Sequence, residues 1–243
     1  MTTVVISQPM YFPWPGFFEL IACADIYVHL DDAQFSKGSF INRVQIKQPG
    51  GHTWMTVPLA GKGTFQEIRH LQASNSGFRD SHRDLLRQAL HGTPHLSQAL
   101  ALFDQATAPE ALPEVLEASI ERPAAWLGLS NVRDWLRTSA LDVPGRSTTR
   151  VLDIVKRVGG DRYVTAHGAA GYLDHEAFEA AGVSVDYIDY SLTPYPQLHG
   201  AFTPYVSVLD LIANVGAAAR TKLQPSTTPW RTFLAERQVS PDA

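Results

Sequence analysis

A single cysteine, Cys23, stands in 243 residues, which excludes an intramolecular disulfide or thiolate metal cluster and fits a cytoplasmic protein. Basic residues are sparse as well, with 20 Lys and Arg against 24 Asp and Glu and a formal charge of −4. No element carries a basic cluster, which argues against nucleic acid and favours a small-molecule or protein-tethered substrate. The apolar N-terminus has no basic leader and is broken by Pro9, Pro13, Pro15 and Gly16, so it reads as neither a signal peptide nor a membrane helix. Internal repeats are missing, and only the tail Ser240-Pro241-Asp242-Ala243 has the composition of disorder. The nine histidines are scattered, with no H-E-x-x-H and no readable metal set. No metal and no cofactor is therefore expected.

What is present, 44% hydrophobic and 18% charged residues, suits one large domain with a buried core. Val4-Val5-Ile6 reads as a short buried strand. Phe17, Leu20, Ile21 and Ala24 follow at the spacing of one helical face, and Ile26 to Leu30 reads as a second strand. Together these make a parallel β-loop-α-β crossover. Phe40–Lys47 and Thr53–Leu59, split by Pro49-Gly50-Gly51, predict a hairpin, and Ile68 begins another extended segment. Helical patterns then run over Arg79–Leu90, Leu96–Gln105, Glu114–Ile120 and Asn131–Thr138, the last capped by Ser130. The α/β alternation resumes with a helix capped by Ser147, Thr148 or Thr149 and stopped by Gly159-Gly160. Strands at Tyr163–Ala166 and Val185–Ile188 follow, around a helix or turn at Asp174–Ala181, then a core helix at Val208–Val215. The expectation is a single α/β domain over 1–243, a mostly parallel sheet with flanking helices and a helical insert at about 75–145.

Gln8 and the pair Asp31-Asp32 fall past the carboxyl ends of the first two strands, where open α/β sheets bind ligands. One carboxylate of the pair could act as general base or orient an amine, with Asp32 favoured for chemistry and Asp31 for structure; the alternative is a turn cap. Arg43 is a candidate clamp for a carboxylate or phosphate, or an ion-pair partner of Asp31 or Asp32. Gln8 and Tyr11 sit in a loop stiffened by Pro9 and Pro13, suited to a site wall. His82 precedes Leu85 and Leu86 by three and four positions, so it faces inward as a core group or an acid/base partner. His199 and Asp210 are second-rank, and Asp210 pairs with Arg43 or caps a buried network. His167 is a further possibility. Cys23 has acyl-acceptor chemistry but no thiol-protease spacing, and reads as a small buried hydrophobe.

Ile6-Ser7-Gln8-Pro9, Tyr11-Phe12-Pro13-Trp14, Gly16-Phe17-Phe18, Asp25, Leu30-Asp31-Asp32, Gln34 and Asn42-Arg43 resemble the N-terminal signature of the WbqC-like family. Gly168–Asp174, Tyr195-Pro196-Gln197, Phe202 and Val206–Gly216 resemble its later blocks, and the likeness is weakest between 97 and 141. The resemblance adds Gln34 and Asn42 to the substrate-binding set of Gln8, Tyr11, Asp31, Arg43 and His199. His82 matches a histidine of the family's Trp-x-x-x-His helix, with Phe78 in place of the tryptophan, and is taken with Asp32 as catalytic. His29 is a local departure.

The activity so implied is acyl or aminoacyl transfer to an amine in surface-glycan or specialised-metabolite biosynthesis, without nucleic acid or membrane partners. The donor would be a thioester on coenzyme A or on an acyl or peptidyl carrier protein, and the acceptor a small-molecule amine. Proximity and one base suffice with so activated a donor. Two alternatives stand beside it: a nucleotide-dependent carboxylate-activating enzyme, although no phosphate-gripping motif is present, and a non-catalytic carrier-binding subunit.

Overall fold

A computed structural model describes residues 1–61 and 65–239; the tail Ser240–Ala243 lies outside the described residues. In chain order, β1 (Thr3–Ser7), α1 (Pro15–Ala22) and β2 (Ile26–His29) form the opening crossover. The hairpin β3 (Arg43–Gln48) and β4 (Gly51–Thr56) follows, then a 3-10 turn at Ile68–His70. Helices α2 (Phe78–Ala89), α3 (Leu96–Ala106) and α4 (Leu112–Trp126) lead into β5 (Asp134–Arg137) and α5 (Thr138–Leu141). The chain continues through α6 (Ser147–Arg157), β6 (Arg162–Thr165), α7 (His175–Ala180) and β7 (Ser184–Asp189). It ends with α8 (Val208–Val215), β8 (Ser226–Pro229) and α9 (Trp230–Val239).

Six strands make the main sheet in the order β5-β2-β1-β6-β7-β8, and the hairpin is a separate two-stranded sheet. All main-sheet neighbours are parallel except β7 and β8. This is the mostly parallel α/β architecture that the alternating pattern predicts. The chain builds outward from β1, first to β2 and β5, then back across to β6 and β7. The order therefore reverses between β1 and β6, the place where such sheets open a crevice.

Period-two alternation sends the central strands to two cores. Val5 and Tyr27 face one cluster with Phe17, Phe103, Leu116 and Leu211, which draws α1, the inserted helices and α8 together. Val4, Ile6, Ile26 and Val28 face a second with Ile154, Val155, Phe178 and Phe233, from α6, α7 and α9. A sheet buried on both faces needs strands that are apolar throughout, as β1 and β2 are. Gly16 is required by contact at the start of α1: a Cβ there would lie 2.1 Å from the Trp14 ring.

Three local expectations are corrected. Asn131–Thr138 is not a capped helix, because Asp134–Arg137 pairs with β2 from Ile26↔Asp134 to His29↔Arg137. The open edge of β2 overrides weak helical propensity, and Asn131 instead donates to the Ala24 carbonyl at 2.6 Å. The inserted helices thus end in a strand of the main sheet. Ile68 begins a 3-10 turn rather than an extended segment, since its amide is drawn to the Ala33 carbonyl at 3.0 Å. None of Ser147, Thr148 and Thr149 caps α6: Arg146 holds that position without a side-chain bond, and Thr148 Oγ1 donates to the Tyr172 carbonyl at 3.1 Å. Two elements outside the expected set complete the far edge: β8, and α9 with Trp230, Phe233 and Leu234 at the spacing of one helical face. Among the described residues no helix is long and apolar enough to cross a membrane.

Candidate active site at the carboxyl edge

Asp31 and Asp32 follow β2 after Leu30, and the strand pairing of β5 brings Thr138 and Ser139 up against them. Asp31 is 3% exposed. Its Oδ1 accepts from the Ser139 amide at 2.9 Å and lies 3.0 Å from Thr138 Oγ1, and its Oδ2 accepts from Ser139 Oγ. It therefore ties the start of α5 to the end of β2. Asp32 is oriented differently. Thr138 Oγ1 lies 2.7 Å from its Oδ1, and Arg150 of α6 donates to its Oδ2 at 2.5 Å. Burial raises its pKa, but the hydrogen bonds from Arg150 and Thr138 outweigh this and hold it below the ordinary 3.8. Asp32 is thus a carboxylate ionised at neutral pH, better suited to holding a cation than to taking a proton.

Asp32 lines an open cleft of about 510 Å³ with Gln34, Phe65, Gln66, Glu67, Arg69 and His70. The walls are held together by backbone pairing: Gln34 bridges Glu67, Phe35 N donates to the Gln66 carbonyl at 2.8 Å, and Arg69 N to the Asp31 carbonyl at 2.7 Å. Glu67 Oε2 accepts from Arg69 Nε at 2.7 Å, with His70 Nδ1 at 3.7 Å. Two carboxylates, a guanidinium and an imidazole therefore meet at one solvent-filled edge.

Tyr11 and His82 meet elsewhere, in the core. The Tyr11 hydroxyl lies 3.0 Å from His82 Nδ1, with Phe12 and Phe78 rings against the pair. Burial pushes the His82 imidazole down to about 4, a backbone bond at Thr56 acting the other way. Burial likewise raises the Tyr11 phenol well above its ordinary value, with Arg79 opposing. Both are neutral at pH 7. Phe12, fully buried, adopts a left-handed φ of 45° and stacks on Phe103 at 5.4 Å. The loop after β1 is thus strained locally and held by packing.

The hydrogen bonds of Asp32 and His82 have no partner in common. Asn42 is buried and donates to the Val57 carbonyl at 2.8 Å. Arg43 pairs with neither aspartate and not with Asp210: it donates to the Ser39 and Gly38 carbonyls and lies over the Trp54 ring. Asp210 instead accepts from Tyr195 at 2.9 Å, its carboxyl raised by burial against the lowering bond from Tyr195. His199 lies 2.7 Å from the Ala89 carbonyl through Nε2, and His167 Nε2 contacts the Ile188 carbonyl at 2.7 Å. Gln8, half-buried past β1, makes no side-chain hydrogen bond among the described residues. Burial pushes the Cys23 thiol up to about 11, which suppresses the thiolate a nucleophile needs. His29 sits on β2 with Nε2 3.0 Å from Glu121.

The cleft therefore joins only Asp32 and Gln34 from the expected set, and adds Glu67, Arg69 and His70. Nothing near these three in sequence marks them, and Arg150 stands 118 positions from Asp32. Their proximity is a product of the turn at Ile68–His70 and of α6 packing beneath the edge.

The model of the WbqC-like protein family matches residues 8–222. An uncharacterized protein of Mycobacterium tuberculosis, Rv1507c, is 31% identical over 229 residues, covering 90% of this chain and 96% of that protein. No solved structure matches. The matched span runs from the loop after β1 through α8 and so takes in the whole carboxyl edge, and the chain belongs to the WbqC-like protein family.

Proposed function

We propose that the chain is an acyltransferase or aminoacyltransferase that forms an amide on an amine acceptor in surface-glycan or specialised-metabolite biosynthesis. The donor is a thioester on a carrier protein or on coenzyme A. The observation that carries this reading is the ionised Asp32 on an open cleft whose wall also holds Glu67 and His70.

Two carboxylates attract an amine as its ammonium ion and orient it. His70 takes a proton from the ammonium and releases it to solvent, the general-base role that imidazole fills most often. The free amine then attacks the thioester carbonyl: the C–N bond forms, the C–S bond breaks, and the second N–H proton passes through His70 to the departing thiolate. Gln34 on the cleft wall supplies an amide N–H group for the carbonyl oxygen. Asp31 keeps this edge in shape through Thr138 and Ser139. His82 positions the Tyr11 loop, because burial keeps it neutral down to about pH 4.

Mass spectrometry of coenzyme A and carrier thioesters incubated with the protein and a range of amines tests the reaction. Amide product is expected, and Asp32→Asn and His70→Gln each should lower kcat/KM about a hundredfold. Donors that all stay intact would sink the proposal. Loss with His82→Gln but not with His70→Gln would return the proton transfer to His82. A nucleotide-dependent reading has one observation in its favour: with the hairpin left out, the strands run in the 3-2-1-4-5-6 order of dinucleotide-binding sheets. The turn after β1 carries Pro9 rather than a glycine-rich phosphate cradle. Calorimetry with ATP and magnesium separates the two readings.

A further inference from the structure

Between Asp32 and Glu67 the chain has no acidic residue: residues 33–66 contain Lys37, Arg43, Lys47 and Lys62 and not one Asp or Glu. At the chain's average of 24 acidic residues in 243, a stretch of this length would carry about three. The bias coincides with a distinct structural unit. The segment leaves the carboxyl edge and returns to it through a neck formed by the Gln34–Glu67 bridge and the Phe35 amide on the Gln66 carbonyl. That neck is itself a wall of the candidate active cleft.

Beyond the neck the hairpin shows two kinds of surface. Inward, Val44, Ile46 and Met55 are buried, and Lys47, 4% exposed, is bonded to Gln197, Gly200 and Ala201. Outward, Phe40 is 54% and Trp54 39% exposed, with ring centroids 5.8 Å apart. Arg43 lies 4.1 Å over the Trp54 ring while its Nε and Nη2 grip the Ser39 and Gly38 carbonyls, and Lys37, next to Gly38 in the chain, is exposed. Neither cation has a carboxylate partner among the described residues. Aromatic rings and an arginine held in place before a partner arrives are the make-up of an interface hot spot, because little side-chain freedom remains to be lost on binding. Unopposed positive charge on a chain of net −4 selects an acidic partner.

We propose that the outer face of the hairpin, Phe40, Trp54, Arg43 and Lys37, docks an acidic carrier protein that delivers the tethered acyl donor into the adjoining cleft. This rests on the amide-forming reading of that cleft. Arg43 then recognises the carrier's carboxylates rather than clamping the small substrate.

Fluorescence anisotropy with a purified, labelled acidic acyl carrier protein in its holo form tests it on the full chain. Trp54→Ala and the charge reversal Lys37→Glu are each expected to weaken binding about tenfold, and added salt to weaken it further. Both sites face solvent, and circular dichroism with turnover of coenzyme A thioesters should stay unchanged. No binding, or equal affinity in wild type and both variants, overturns the proposal. So does single-stranded RNA that binds with the same dependence on Trp54 and Lys37, which would make the face a nucleic-acid site. Carrier binding that depends on the patch without any amide product would overturn the reaction and leave the docking face standing. Amide formation from coenzyme A donors without carrier binding would do the reverse.

Discussion

At Asp32 a carboxylate meets Arg150 and Thr138 on the rim of an open cleft, whereas at His82 an imidazole meets Tyr11 inside a wall of aromatic rings. Both lie near the sheet's carboxyl edge, and both carry side chains capable of acid/base chemistry. Their surroundings separate them. Hydrogen bonds and a guanidinium keep Asp32 charged, while burial keeps His82 uncharged. A titratable group becomes useful to a reaction through what it faces, and only the first of these regions faces space that a substrate can fill.

Four experiments probe that contrast. The largest effect is expected at Asp31, which anchors the charged region: Asp31→Ala takes the acceptor from both the amide and the hydroxyl of Ser139 and should cost about 3 kcal/mol in urea unfolding. A loss under about 1 kcal/mol would mean that the edge holds its shape without this network.

The two regions should next separate by pH. His82 titrates near 6.5 when unfolded and near 4 when folded. Its depressed value means that stability is fully present above pH 6.5 and falls, by up to about 3 kcal/mol, as pH drops towards 4. Asp32 is also depressed, from 3.8, so its contribution is present above that value and is lost only at lower pH. Urea midpoints measured from pH 7 to pH 3 should therefore show a decline between 6.5 and 4 that His82→Gln reduces and Asp32→Asn leaves in place. An unchanged profile in His82→Gln would contradict the assignment.

A smaller effect is expected from Tyr11→Phe, which strips the partner from His82 Nδ1 and should cost about 1–2 kcal/mol. Cys23→Ala should be the mildest, under about 1 kcal/mol, with product formation unchanged. A thiol raised to about 11 should also resist alkylation at pH 7.

Much of the fold is legible in the chain because it is written at short range. Val4-Val5-Ile6 and Ile26–His29 announce buried strands, Phe17, Leu20 and Ile21 mark the face of α1, and Pro49-Gly50 turns the hairpin. Asp134–Arg137 was not legible, since a four-residue strand is made by the edge it joins. The same limit holds at the site. Asp32 could be placed from a strand end and Gln34 from the family motif, but Arg43 points away from them to Trp54, and Asn42 is consumed by Val57.

The α/β class, the family and the position of Asp31-Asp32 past β2 were therefore set by the order of residues alone, because period, turn chemistry and motif order are local properties. Which polar groups share a space is a matter of tertiary structure. Folding brought Arg150 and Thr138 to Asp32, lined the cleft with Glu67 and His70, sealed His82 behind Tyr11, and turned Arg43 outward with two aromatic rings. Charge state and access depend on neighbours that are distant along the chain, and packing alone assembles those neighbours.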